Sequence, residues 1–114
     1  MSSTPFATRW TPEQAAALPL PAGRRSARVG ETADIECRHY APRGVDPQTP
    51  HDRDELYVVI SGQGHFVRGA ERVPFAPGDL LFVAAHETHR FEDFSDNFAC
   101  WVMFFGPVRP PPAG

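Results

Sequence analysis

Three residues of this chain, His51, Glu55 and His89, have the types and spacing to do chemistry. Two neutral imidazoles and one carboxylate can hold a divalent ion and still leave coordination positions open for water or substrate. The first two lie in the run His51-Asp52-Arg53-Asp54-Glu55-Leu56-Tyr57-Val58-Val59-Ile60-Ser61-Gly62. On a strand, successive side chains point to opposite faces. The spacing therefore predicts His51 and Glu55 on one face, with Leu56, Val58 and Ile60 on the other. His89, from a neighbouring strand, would face the first pair. A helix start is the competing reading for positions 49–55, with Thr49 as cap, Pro50 as first residue and Asp52 closing a capping box. The β-forming run Tyr57-Val58-Val59-Ile60 argues against it. Taken alone, His89 would be a polar residue at a strand start, bonded to backbone.

Other side chains are candidates for the same cavity. Tyr57 and Arg53 share the parity of Glu55. Tyr57 would present a hydroxyl, and Arg53, near the mouth, could meet an anionic substrate. His39 shares parity with Ile35 and Cys37 and could point inward as a further ligand, or be a satisfied core or rim histidine. His86 is expected exposed in a turn, and His65 on either face. The phenylalanines are expected mostly in the core.

The elements that must position these residues read as strands. Glu55–Ile60 is the strongest, followed by 65–68, 71–75, 80–84, 88–94 and 98–105, with a mixed-polarity strand at 32–40. Turn signals separate them at Ser61-Gly62-Gln63-Gly64, Gly69-Ala70, Pro77-Gly78-Asp79 and Ser95-Asp96-Asn97. One short helix is predicted near the start, over 13–18. Thr11 is its N-cap, Pro12 its first residue and Gln14 its capping-box partner. The segment Pro19–Gly30 reads as an irregular connection. This predicts an all-β barrel or sandwich with one short N-terminal helix. The division is an arm with the helix at 1–30, a barrel at 31–105, and a Pro-rich flexible tail at 106–114.

Size and composition limit the function classes. The 114 residues suit one domain. A net charge of -3, with 11 basic residues against 14 acidic, argues against nucleic acid as a partner. The Arg24-Arg25-Arg28 cluster reads as a solvated loop. No apolar run has the length of a membrane span, and the first residues do not read as a signal peptide. A cytoplasmic protein with no membrane partner is the expectation. Cys37 and Cys100 are expected as buried thiols, with a disulfide left open.

Together the motifs resemble those of the cupin superfamily, whose fold is a small jelly-roll β-barrel. His51, three residues, Glu55, six residues and Gly62 match the later part of that family's first motif. Pro77-Gly78-Asp79-Leu80-Leu81-Phe82-Val83-Ala84-Ala85-His86-Glu87-Thr88-His89 fits a looser form of its second. The resemblance covers about Ile35 to Phe105. It implies His51, Glu55 and His89 as ligands of a divalent ion (Fe, Mn, Ni, Zn or Cu), or a degenerate site with no ion. Two departures stand out. Thr49 occupies the place of the first motif histidine, and Asp93 that of the terminal asparagine. The implied function is a small-molecule metalloenzyme with dioxygenase- or isomerase-like chemistry; the alternative is a non-catalytic small-ligand-binding module. A homodimer is also expected, with the outward apolar parity of Leu56, Val58 and Ile60 offering a self-associating face unless the barrel's second sheet covers it. No helix-turn-helix is evident, which argues against a complete transcription regulator.

Overall fold

The structure, a computed structural model, describes residues 5–111. It opens with α1 (Pro12–Ala16), which is shorter than the 13–18 span predicted. Its capping box forms as expected: the Thr11 hydroxyl accepts from the Gln14 N–H at 3.1 Å, and the Gln14 side chain accepts from the Thr11 N–H at 2.9 Å. Eight strands follow: β1 (Ser26–Glu31), β2 (Ile35–Tyr40), β3 (Asp54–Ser61), β4 (Gly64–Arg68), β5 (Glu71–Phe75), β6 (Leu80–Val83), β7 (His89–Glu92) and β8 (Ala99–Phe105). They form a five-stranded sheet in the order β1-β2-β8-β3-β6 and a three-stranded sheet in the order β5-β4-β7. All pairings are antiparallel.

The inner faces of the two sheets meet in an aromatic core. Tyr57, Val59, Cys100 and Val102 come from one sheet, Phe66, Phe75 and Phe91 from the other, and Phe98 from the turn before β8. Their rings pack edge-on and tilted, with centroids 4.7 Å apart for Phe91–Phe98 and 5.0 Å for Phe66–Phe91, the arrangement that ring quadrupoles favour. Gly62 ends β3 at a φ of +84°, and a Cβ there would come within 2.6 Å of the Phe98 Cα. Only glycine supplies that backbone conformation and that clearance.

One sequence expectation needs correction. The segment read as irregular contains β1, whose residues 26–31 pair with 36–40 of β2. Its composition is poor in strand formers, and the pairing comes from tertiary context. Ala27 and Val29 are buried, and Val29 packs with Cys37 and Ala15 of α1 in a second cluster on the outer face of the large sheet. In the tail, Arg109 makes three contacts. Its N–H donates to the Asp52 carbonyl at 2.7 Å, its guanidinium meets Asp54 Oδ2 at 3.1 Å, and its carbonyl contacts His86 Nε2 at 2.9 Å. The last three residues of the tail lie outside the described residues.

Alternation along β3 follows the sequence reading. Glu55, Tyr57 and Val59 are buried, while Leu56, Val58 and Ile60 are less so. On the outer face, α1 and Trp10 cover the β1-β2-β8 half, whereas Leu80 and Phe82 on β6 remain 63% and 45% exposed. Both cysteines are free and buried. Burial, with the Glu36 carboxylate beside it, raises the Cys37 thiol to about 11, and burial also pushes Cys100 up.

Candidate metal centre and its cavity

Each of the three predicted ligands arrives by a different local route. Glu55 is the second residue of β3 and points inward beneath the barrel rim, 1% exposed. His89 is the first residue of β7 and is 2% exposed. His51 is not on the strand, as the parity argument assumed; it lies in the loop before β3 and is partly exposed. A backbone hydrogen bond from the His86 N–H to the His51 carbonyl, 2.6 Å long, ties that loop to the β6–β7 connection.

The structure brings the three together. One ligand atom from each of His51, Glu55 and His89 lies within 4.8 Å of the others. His89 Nε2 is 3.0 Å and His51 Nε2 3.6 Å from Glu55 Oε1. The first contact is short but lacks hydrogen-bond alignment. Both Glu55 oxygens and His89 Nε2 are buried without a hydrogen-bond partner among the described residues. Buried polar atoms are normally satisfied, so three orphans converging on one point fit the donor set of a divalent cation. The tautomer fits as well. His89 Nδ1 lies 2.9 Å from the Glu87 carbonyl, which fixes the proton there and turns the Nε2 lone pair toward the site.

Electrostatics separate the two imidazoles. Burial lowers the His51 pKa, and the nearby Glu55 carboxylate only partly offsets this. Burial also acts against a charged His89, but the Glu55 carboxylate and the Glu87 carbonyl outweigh it and raise that pKa.

Gln48 was not singled out in the sequence, and the geometry puts it at the centre. Its Oε1 is 3.2 Å from His51 Nε2 and accepts from the Tyr57 hydroxyl at 3.0 Å. Its amide nitrogen donates to Asp46 Oδ2 at 2.7 Å, so the acceptor oxygen must be the end facing the histidine. Asp46 is anchored in turn by the Tyr40 hydroxyl and, at 2.8 Å, by the Phe91 N–H. Thr49, in the place of the first motif histidine, is exposed. No periodicity signals Gln48, because it sits in an irregular loop.

The remaining candidates divide. Tyr57 is fully buried, with its hydroxyl on Gln48, and burial together with the Glu55 carboxylate raises its pKa well above the ordinary range. Arg53 does line the cavity beside the centre. Its guanidinium lies 4.8 Å over the Phe104 ring and donates to Glu36 Oε1 at 2.7 Å. His39 does not join the centre. It packs edge-on against Trp101 at 5.7 Å and lines a separate cleft with residues of α1. The inward residues of β2 are instead Glu36, Arg38 and Tyr40. Asp93 is exposed and pairs with Arg72 at 2.6 Å, away from the centre. His86 is partly buried, in a turn with φ of 67°.

The cavity has a volume of about 490 Å³. His51, Gln48, Tyr40, Arg53 and Phe104 line the side near the centre, and Arg24, Arg25, Arg28 and Arg38 the far side. Glu36 lies between, hydrogen-bonded to Arg28, Arg38 and Arg53. Burial pushes its carboxyl up, but these guanidiniums prevail and hold its pKa at about 2.

Residues 38–105 match the family described as the Cupin domain, and the chain belongs to that family. An uncharacterized protein of Streptomyces coelicolor is 36% identical over 63 residues, spanning 55% of this chain and 60% of that protein. The HTH-type transcriptional activator RhaS of Yersinia pestis is 34% identical over 73 residues, spanning 64% of this chain and 26% of the activator. The chain thus matches less than two thirds of either relative's length. Among solved structures, a Cupin 2 conserved barrel domain protein of Salinispora arenicola superposes with a TM-score of 0.66 at 22% identity, covering 87% of this chain and 89% of that one.

Proposed function

We propose that this cupin holds a divalent metal ion at His51, Glu55 and His89 and acts on a small organic molecule bound in the adjoining cavity. The observation that carries the proposal is the convergence of three buried donor atoms with no hydrogen-bond partner. Gln48 Oε1 is the fourth donor in this reading, in place of the histidine that Thr49 replaces. Asp46 orients the Gln48 amide, and the Glu87 carbonyl orients the His89 ring. A bound ion would supply Lewis-acid polarisation of a substrate oxygen, or dioxygen activation at open positions. The protein's own part is to orient the His89 ring through the Glu87 carbonyl, shield the site on the core side with Tyr57 and Phe66, and admit substrate past His51.

The match to a transcriptional activator favours a second reading, in which the same cavity binds a small ligand without turnover. Metal content by mass spectrometry, for the purified and reconstituted protein and for His51→Ala, Glu55→Gln and His89→Ala, tests whether the centre holds an ion. Wild type should hold the ion and each variant should lose most of it, with circular dichroism unchanged. Equal metal in wild type and His89→Ala would place the site elsewhere. Turnover assays on the loaded protein then divide enzyme from binding module.

A further inference from the structure

We propose that the arginine-lined cavity is an anion subsite, which binds the carboxylate or phosphate group of the small molecule that the centre acts on. The inference rests on the metal-site reading only for where the rest of that molecule lies.

Charge is the first argument. The cavity is lined by Arg24, Arg25, Arg28, Arg38 and Arg53 against Glu36 and Asp52, an excess of three positive charges, whereas the chain as a whole carries -3. This concentration is local and opposes the overall charge. A low-dielectric concavity focuses such a field toward an incoming anion.

Donor accounting is the second. Every nitrogen of Arg38 has a partner: Nε on Ser26 Oγ at 2.8 Å, Nη1 on Glu36 at 2.9 Å, and Nη2 on the Ser26 carbonyl at 3.1 Å. It is a structural support. Arg53 is not. Only its Nη2 has a hydrogen-bond partner among the described residues, on Glu36 at 2.7 Å, and its guanidinium carbon lies over the Phe104 ring. The side chains of Arg24 and Arg25 are exposed, with no hydrogen-bond partner among the described residues. The guanidinium fork matches the two oxygens of a carboxylate or phosphate. Glu36 pins three guanidiniums with one carboxylate, so it organises the arginines without neutralising them.

Position is the third. Arg53 lies between His51 and Glu55 in sequence, and His51 lines the same cavity. A molecule anchored at Arg53 by its anionic end would rest its carbon chain on Phe104 and Val102, with its other end toward the centre.

The test is calorimetric titration of metal-free and metal-loaded protein with malonate and with inorganic phosphate, and with uncharged malonamide as control. We expect malonate or phosphate to bind the metal-free protein, with affinity that falls as salt rises, and malonamide not to bind. The preferred anion distinguishes a carboxylate from a phosphate substrate. Arg53→Gln should weaken binding by about tenfold or more, and Arg53→Lys by less, with metal content and circular dichroism unchanged. Arg24→Gln combined with Arg25→Gln, both on the surface, gives a second reading that does not disturb Glu36, and should also weaken binding. Malonamide binding as well as malonate, no heat with either anion, or wild-type affinity in both the Arg53→Gln protein and the Arg24/Arg25 double variant would overturn the proposal. Protein that binds anion but takes up no divalent ion keeps this inference and removes the metal reading. Protein that takes up the ion and ignores both anions does the reverse.

Discussion

The His86 N–H donates to the His51 carbonyl across 2.6 Å, so the loop that carries His51 and the connection that leads into His89 are joined by a main-chain bond. His86 adopts φ of 67° to make it, a left-handed conformation that costs a non-glycine residue about 1 kcal/mol or more. The bond couples the His51 loop to the connection that leads into His89.

Substitution at this position separates backbone from side chain. His86→Gly should keep metal affinity and be neutral or slightly stabilising, because glycine adopts that φ freely. His86→Val should destabilise by about 1–3 kcal/mol and weaken metal binding by loosening the His51 loop. Thermal melts with metal titrations check both; equal behaviour of the two variants would deny the loop bond a role.

Asp46 supports the centre without reaching it. Asp46→Ala orphans the Phe91 N–H and frees the Gln48 amide to rotate. The expected cost is about 1–3 kcal/mol of stability and about 10- to 100-fold in metal affinity. Chemical denaturation and competition with a metal chelator measure the two effects separately. Undiminished metal affinity would remove Gln48 from the ligand set.

Glu36 gives acid stability a definite sign. Its folded pKa is depressed from 4.5 to about 2. The stability it contributes is therefore complete above the unfolded value near 4.5 and is lost as pH falls from there through about 2. The shift corresponds to at most about 3 kcal/mol. Glu36→Gln should flatten the loss of stability between those pH values, read by denaturant midpoints; an unchanged acid limb contradicts the assignment.

Protons should compete with the ion. The raised His89 pKa means that proton occupancy of Nε2 persists above the ordinary imidazole value near 6.5. Metal affinity should already be declining as pH falls toward that value. Metal titrations across the neutral range check this; affinity independent of pH would exclude histidine ligation.

Much of this was legible in the sequence, and the misses have physical reasons. The alternation of Glu55, Tyr57 and Val59 set the inward face of β3, and the capping box fixed the start of α1. His39 was left open between an inward ligand and a satisfied core or rim histidine, because the parity of β2 alone does not say which face is inner. Both faces of β2 are covered, and its outer one, with Cys37, packs under α1 and Trp10, leaving Glu36, Arg38 and Tyr40 for the interior. β1 lacked strand formers and exists through pairing with β2. Gln48 had no signal, since its place depends on how Asp46 folds the loop against β7.

The most direct measurement of the central claim is anomalous X-ray scattering from crystals of the protein equilibrated with Mn(II) or Zn(II). The account predicts an anomalous peak among His51 Nε2, Glu55 and His89 Nε2, with Gln48 Oε1 on its remaining side, and no such peak in His89→Ala crystals. A peak at another place, or none in wild-type crystals at saturating metal, would contradict it.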